Sequence, residues 1–450
     1  MKERAGQVAA MSRAHSRGDT HSRRWARVGA LLIGIGGLTG VITSSVAGSV
    51  TSSSTIYVAN LASHDITPID ASTGVALHPI GLGALMTPVA LAVAPGAKTL
   101  YVVVVGGDED GSPGSVIPIA TATDRPGRPI AVGTSPQAIA VTPNGKMAYV
   151  LNGIDAATTP ETTPATVTPI DLATDTALRP IKVGTLPISM AMSPNGKLLY
   201  VVDSSQSNPR EPSAITPIDT VTNTSSPAIQ LARHPAPFSV SGLAFLSNSA
   251  TAYAITSSGI VSIDTTTATL GKAIGLRSSL PVAIAVTRDD TTIAEVGVPV
   301  TALEQGSPYT DNNTLALVNT ATGVVCKVAR LGNEPGAMSW EVAIAPNGST
   351  AYVLTTTSSP RESTLIPVDL ATGTAGKAID VGRNATTMMI SPNGATVYVL
   401  DNGTYVAVGS PRNVPGTVIP IATTTETAGK AITVGLAPEA IAIAITGQKP

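Results

Sequence analysis

The sequence predicts an all-β chain, a β-propeller of eight four-stranded blades (seven is the alternative count) closed by its C-terminal strand pairing with its N-terminal ones. Three observations predict it. One unit recurs along the chain, and each copy holds four short β-branched runs divided by turn residues. The strand missing from the first copy stands alone at the C-terminus.

The unit is clearest over Pro136 to Gly184, where PQAIAVTPNGKMAYVLN is followed by a variable loop and TVTPIDLATDTALRPIKVG. Its tyrosine recurs as Tyr57, Tyr101, Tyr149, Tyr200, Tyr253, Tyr352 and Tyr398, with Ala294 in the sixth copy, at spacings of 41 to 58 residues. This fits a repeat built from one supersecondary motif.

Within the unit the runs Ala138 to Thr142, Met147 to Leu151, Val167 to Asp171 and Pro180 to Val183 read as antiparallel strands a, b, c and d. Pro-Asn-Gly stands between a and b at 143–145, 194–196, 346–348 and 392–394, where Asn and Gly supply the backbone a tight hairpin needs. Between c and d an aspartate recurs as Asp70, Asp171, Asp219, Asp264 and Asp369. Its carboxylate is suited to accept N–H groups of its own turn, so it is read as a turn former and not as a ligand or base. Proline occupies strand c at Pro68, Pro118, Pro169, Pro217, Pro367 and Pro420. A central strand disfavours proline, so a bulge or a frayed ladder is expected there.

The ends of the array specify how it closes. After residue 54 the chain starts on a b strand, Ile56 to Asn60, and it finishes on an isolated a strand, Ala440 to Ile445. Together with Ile56 to Leu82 that last strand completes a blade, and a ring results. An open solenoid would instead carry polar caps.

The Tyr149-to-Asn152 segment YVLN, the Ile-Asp-x-Ala-Thr of strand c and the Pro-Asn-Gly-Lys turn resemble the YVTN-family β-propeller repeat of archaeal surface-layer and bacterial extracytoplasmic proteins. The resemblance spans residues 55 to 446 and implies a fold and an extracytoplasmic setting. The residues that carry it build blades, so it implies no chemistry. This sequence departs from it in the sixth copy, where Arg288, Asp289 and Asp290 replace Pro-Asn-Gly.

Composition narrows the function. A net charge of -2 with 12% charged residues gives no basic field, and no nucleic-acid partner is expected. Residues 1–47 read as an export leader: a basic stretch with Arg23 and Arg24, an apolar Gly-rich run from Val28 to Thr43, and a small-residue site ending at Ala47. The paired arginines resemble a twin-arginine signal. Residues 48–54 read as a linker and 55–446 as one domain, with no further apolar run of membrane-spanning length, so a secreted or cell-surface protein is expected. Cys326 lies in the apolar run Val324 to Val328 and is expected to be a buried thiol.

Length variation gathers between strands b and c, as in Asn152 to Ala165, Gly297 to Asn312 and Asp401 to Pro415, and so on one side of the ring. Insertions on one side of a repeat protein mark a binding face. Tyr309 and Tyr405 stand in these loops outside the periodic tyrosine position. Trp340 and Glu341 open strand a of the intervening unit, and Glu439 takes the Trp340 position in the closing strand. These five are the candidate binding residues, because exposed rings provide rigid contact area. No catalytic residue, metal ligand or cofactor is assigned. His64, His78 and His234 lack metal spacing, and Asp108, Glu109 and Asp110 read as a solvated loop. The expectation is a non-catalytic scaffold binding a protein or glycan of the cell envelope. The alternative is a lactonase- or lyase-type enzyme drawing on Glu341, Glu439 and His234 at the channel mouth.

Overall fold

The computed structural model describes residues 53–446 except 84, 107–112, 154–163, 204–212, 232–241, 257–258, 277–278, 300–312, 333–336, 358–361, 405 and 407–409. The predicted leader lies outside the described residues. All regular structure among the described residues is strand, arranged in eight antiparallel sheets, each ordered a-b-c-d. Blade 3 is representative: a is Pro136–Val141, b is Met147–Asn152, c is Thr166–Asp171, and d is the pair of short pieces Thr176–Ala177 and Ile181–Lys182. The degenerate sixth copy forms a complete blade of Ser279–Val286, Thr292–Pro299, Thr314–Asn319 and Val324–Arg330. The count of eight therefore holds.

Closure occurs as the sequence predicts, with a longer ladder. Pro438–Thr446 pairs with Ser53–Asn60 from Ser53 opposite Thr446 to Asn60 opposite Pro438. In other blades the chain turns back after strand a, and in blades 3, 4 and 8 the Pro-Asn-Gly turn packs on the turn proline of the preceding blade, Gly145 on Pro95, Gly196 on Pro143 and Gly394 on Pro346. Blade 1 has no such turn. Its place is a cleft of about 220 Å³ bounded by Ser54, Ser72, Pro392, Asn393, Tyr398 and Ile445.

Successive side chains of a strand point to opposite faces, so each b strand feeds two seams. Tyr57 and Ala59 pack against Leu100, Val102 and Ile117 of blade 2, whereas Ile56 and Val58 pack against Tyr398, Leu400 and Val418 of blade 8. Each fully buried Ile or Val contributes roughly 1.5–3 kcal/mol. The core is thus a ring of apolar seams.

The recurring tyrosine spans a seam to the c–d turn of the next blade. Tyr57 donates to Asp124 Oδ1 at 2.9 Å, and Tyr149 donates to the Thr220 carbonyl at 3.0 Å and Asn223 Oδ1 at 2.6 Å. Asp124 and Asn223 hold φ of 53° and 55°, so the turn's left-handed position also supplies the acceptor. Burial raises both tyrosine pKa values, that of Tyr149 to about 12. Ala294 removes this link between blades 6 and 7. There Lys327 Nζ donates to the Ala371 carbonyl in the blade 7 turn.

The turn aspartates act as predicted. Asp219 Oδ1 accepts the N–H groups of Val221 and Thr222 at 2.8 and 2.9 Å, and Asp264 does the same for Thr266 and Thr267 at 2.9 Å each. These bonds lower the Asp264 pKa.

The strand c prolines fit a divided outer strand, which blade 5 shares with Ser262 at that position, where Gly271 N–H closes onto the Ser262 carbonyl at 2.8 Å. Each proline sits opposite the tyrosine, as Pro169 does opposite Tyr149, without disturbing the b–c ladder. Its missing N–H faces strand d, which breaks there: Asp171 and Ile170 pair with Thr176 and Ala177, pairing resumes only at Ile181 and Lys182, and Leu178 N–H closes onto the Pro169 carbonyl at 2.8 Å. Blade 6 has Leu317 at this position and an outer strand that runs unbroken over Val324–Arg330.

One expectation fails. Cys326 is exposed, not buried. Its run is apolar, but strand d is the outermost, and alternate residues of an outermost strand face solvent.

Candidate functional site

Strand a lines the channel, and it begins on the face that carries the b–c loops. In seven blades the a–b register shifts at the same place, leaving one bulged residue: Glu439, Val89, Gln137, Ile188, Val282, Trp340 and Thr386 in blades 1, 2, 3, 4, 6, 7 and 8. A bulge re-aims its side chain and is often found beside functional sites. Gln137 shows the direction: a Cβ added to Gly153, where the b–c loop begins, would meet Gln137 Nε2 at 2.6 Å. The bulged residues Gln137, Val282, Trp340, Thr386 and Glu439 therefore form an arc at the channel mouth, on the side of the variable loops. Ile188 instead is 8% exposed and packs in a seam with Tyr200 and Val202, and Val89 packs against the cluster of Tyr101 and Val103.

Of the five candidate residues, Trp340 and Glu439 occupy this arc, both half-buried, on blades 7 and 1 with Thr386 of blade 8 between them. Tyr309 and Tyr405 lie outside the described residues, as do His234 and the Asp108 to Asp110 loop. Glu341 adjoins Trp340 but turns into the seam with blade 8. It is 3% exposed and accepts Met388 N–H at 2.9 Å and the Thr387 hydroxyl at 3.3 Å. Other blades hold small residues here, such as Ala90, Ala138, Ala283 and Ala440. Burial raises the Glu341 pKa to about 8 against the opposing pull of those two bonds. Burial likewise moves Glu439 to about 7.

Further buried acids escaped the sequence reading. Glu295 in strand b of blade 6 is 0% exposed, both of its oxygens lack a partner, and burial raises its pKa to about 8. It occupies the place of Val58, Val150 or Val353 in other blades, on the face directed at blade 5, where Ile293 packs against Tyr253 and Ile260. Asp203 and Asp401 end strand b three residues after the tyrosine, as Asn60 and Asn152 do. Asp401 Oδ2 accepts the N–H groups of Arg383 and Asn384 at 2.8 and 2.9 Å, and Asn60 Oδ1 accepts that of Gly435 at 3.1 Å. These side chains cap the crossover arriving from the preceding blade. Burial raises Asp203 to about 6. The period itself carried a signal for all of them: an acid where the repeat places valine, and a polar residue at the third place after tyrosine in six copies, with Val104 and Gly297 the exceptions.

Among the described residues no three His, Cys, Asp or Glu side chains gather as a metal site. Nor do Glu295 and Glu341 share a partner, since they face the blade 5–6 and 7–8 seams respectively.

No family model matches the chain, and no curated protein matches it. Solved structures do. Hydrazine synthase of Kuenenia stuttgartiensis aligns over 71% of this chain and 94% of its own at 21% identity and a TM-score of 0.53. The dihydro-heme d1 dehydrogenase NirN aligns over 91% and 79% at 11% identity and a TM-score of 0.62. A functionally unknown protein from Desulfotomaculum acetoxidans aligns over 87% and 99% at 15% identity and a TM-score of 0.50. At such identities these likenesses establish architecture alone. The chain is an eight-bladed β-propeller, ringed shut by its own first and last described strands.

Proposed function

We propose that this protein is an exported, non-catalytic scaffold that binds a protein or glycan of the cell envelope through its b–c loop face. One observation carries the reading. The positions that build blades repeat around the ring, whereas the accessible bulged position at the mouth changes from Gln137 to Val282, Trp340, Thr386 and Glu439. A constant frame presenting a varied surface is what recognition requires. Export rests on the leader at 1–47. The competing lactonase or lyase reading needs acid and base within hydrogen-bond reach of one reacting group. Glu341 is instead committed to Met388 and Thr387.

The test is a pull-down from envelope fractions with the intact chain and with a variant carrying Tyr309→Ala, Trp340→Ala and Tyr405→Ala. Tyr200→Phe, which alters an inter-blade seam and leaves the face untouched, serves as the control. Retention by the control and loss by the triple variant is expected. Equal capture by all three overturns the assignment of the face.

A further inference from the structure

A sheet edge offers unpaired N–H and C=O groups, and proteins guard such edges by breaking, twisting or charging them. In six blades of this ring a strand c proline breaks the outer strand into pieces, and exposed Lys182 and Asp380 sit in the short outer pieces of blades 3 and 7. Blade 5 has Ser262 in place of the proline, and its outer strand is reduced to Thr269–Leu270 and a single bridge at Ile274. Blade 6 differs from all of them. Its outer strand Val324–Arg330 is continuous, with Leu317 at the position that proline holds in six blades.

That edge is also apolar. Val324 and Val328 are 56% and 55% exposed, and Cys326 between them is exposed as well. Lys327, the cation placed to guard the edge, donates instead to the Ala371 carbonyl of blade 7. The guards that remain are the exposed Arg330 at the strand's last position, outside the Val324 to Val328 stretch, and one bulge, where pairing with strand c passes from Lys327 opposite Leu317 to Val325 opposite Val318 and leaves Cys326 unmatched. The bulge interrupts the ladder at a single residue with paired neighbours on both sides.

We infer that the outer edge of blade 6 is a self-association surface, on which a second copy of this chain adds its own Val324–Arg330 strand in antiparallel register. The choice of a second copy follows from the pattern Val324-x-Cys326-x-Val328. A two-fold axis through Cys326 sets Val324 against Val328 of the other copy and Cys326 against its counterpart, so the edge complements itself as an isologous contact requires. Main-chain bonds supply affinity and the alternate valines supply register, as in other strand additions. Antiparallel pairing reverses the strand direction between copies, so the two loop faces point opposite ways.

The experiment is performed on the full chain. Molecular mass is measured by light scattering over a concentration series, and a short bis-maleimide is applied in parallel. Cys326 is the sole cysteine, so any cross-linked pair reports this edge. A dimer is expected, with cross-linking abolished and the dimer retained in Cys326→Ser. Val328→Lys restores a guarding charge at an exposed position and is expected to raise the dimer dissociation constant at least tenfold. Val221→Lys, at a 74% exposed turn residue of blade 4, is expected to leave it unchanged. Circular dichroism matching the parent's confirms that each variant is folded. A monomer at every concentration, a dimer indifferent to Val328→Lys, or a dimer whose Cys326 thiols do not cross-link would each overturn the inference.

Discussion

Replacing Glu295 by valine, the residue at this place in most blades, is expected to stabilise the protein more at pH 8 than at pH 5. In the folded chain the carboxyl is fully buried without a partner, and its pKa rises from 4.5 to about 8. The unfolded chain ionises it freely above pH 4.5, while the folded chain must retain the proton. Stability is therefore intact below pH 4.5 and is lost as pH rises toward and through the folded value. At about 1.36 kcal/mol per pH unit, the loss is about 4 kcal/mol at pH 8 and about 1 kcal/mol at pH 5. Glu341, Glu439 and Asp203 are raised by the same cause and act with the same sign, but they are common to parent and variant and cancel in the difference. Urea titrations followed by circular dichroism at the two pH values measure it. The gap between Glu295→Val and the parent is expected to widen by about 3 kcal/mol from pH 5 to pH 8. An equal gap at both values would refute the reasoning, because it would mean that Glu295 ionises in the folded ring as easily as in the open chain.

Other outcomes follow from the seams and edges. Tyr149→Phe removes bonds to Thr220 and Asn223 and is expected to cost about 1–2 kcal/mol in denaturant titration, whereas Tyr200→Phe, whose buried hydroxyl has no partner, is expected to be neutral or stabilising. Asp264→Ala removes the acceptor of two turn N–H groups and is expected to lower the urea midpoint slightly at neutral pH, an effect that disappears under acid as the parent carboxylate is protonated. Truncation before Pro438 strips blade 1 of its inner strand and uncovers Ile56 and Val58, so thermal unfolding is expected to lose its single cooperative transition. Native Cys326 is expected to react fully with a thiol reagent without denaturant, as its exposure requires.

What the sequence revealed was what repeats. Strand positions, the Pro-Asn-Gly hairpins, the aspartate turns and the closing strand all show as a period, because each is set by a few neighbouring residues. The strand c prolines were legible as a disturbance, but the site of the break, in strand d and not in c, depends on which way the missing N–H points. Contacts between blades were not legible. The Tyr57 to Asp124 bond joins residues 67 apart, and nothing local to either announces it. Cys326 was misread because an apolar run looks alike in a core strand and in an outer one. At the mouth, Trp340 and Glu341 are consecutive in sequence, yet the bulge sends one into the arc and leaves the other in a seam.

The closing ladder also sets how the ring answers force. Ser53 and Thr446 are paired at the same end of their strands, so a load pulling those two points apart meets the hydrogen-bonded pairs one after another, from that pair toward Asn60 and Pro438. That is unzipping, in which each rung breaks alone, and not shear, in which all rungs resist together. A ring pulled at these two points yields at low tension by peeling open at blade 1. The same ring gripped through its loop face and held by only one of those ends loads the closing strands along their length, and there it is strongest.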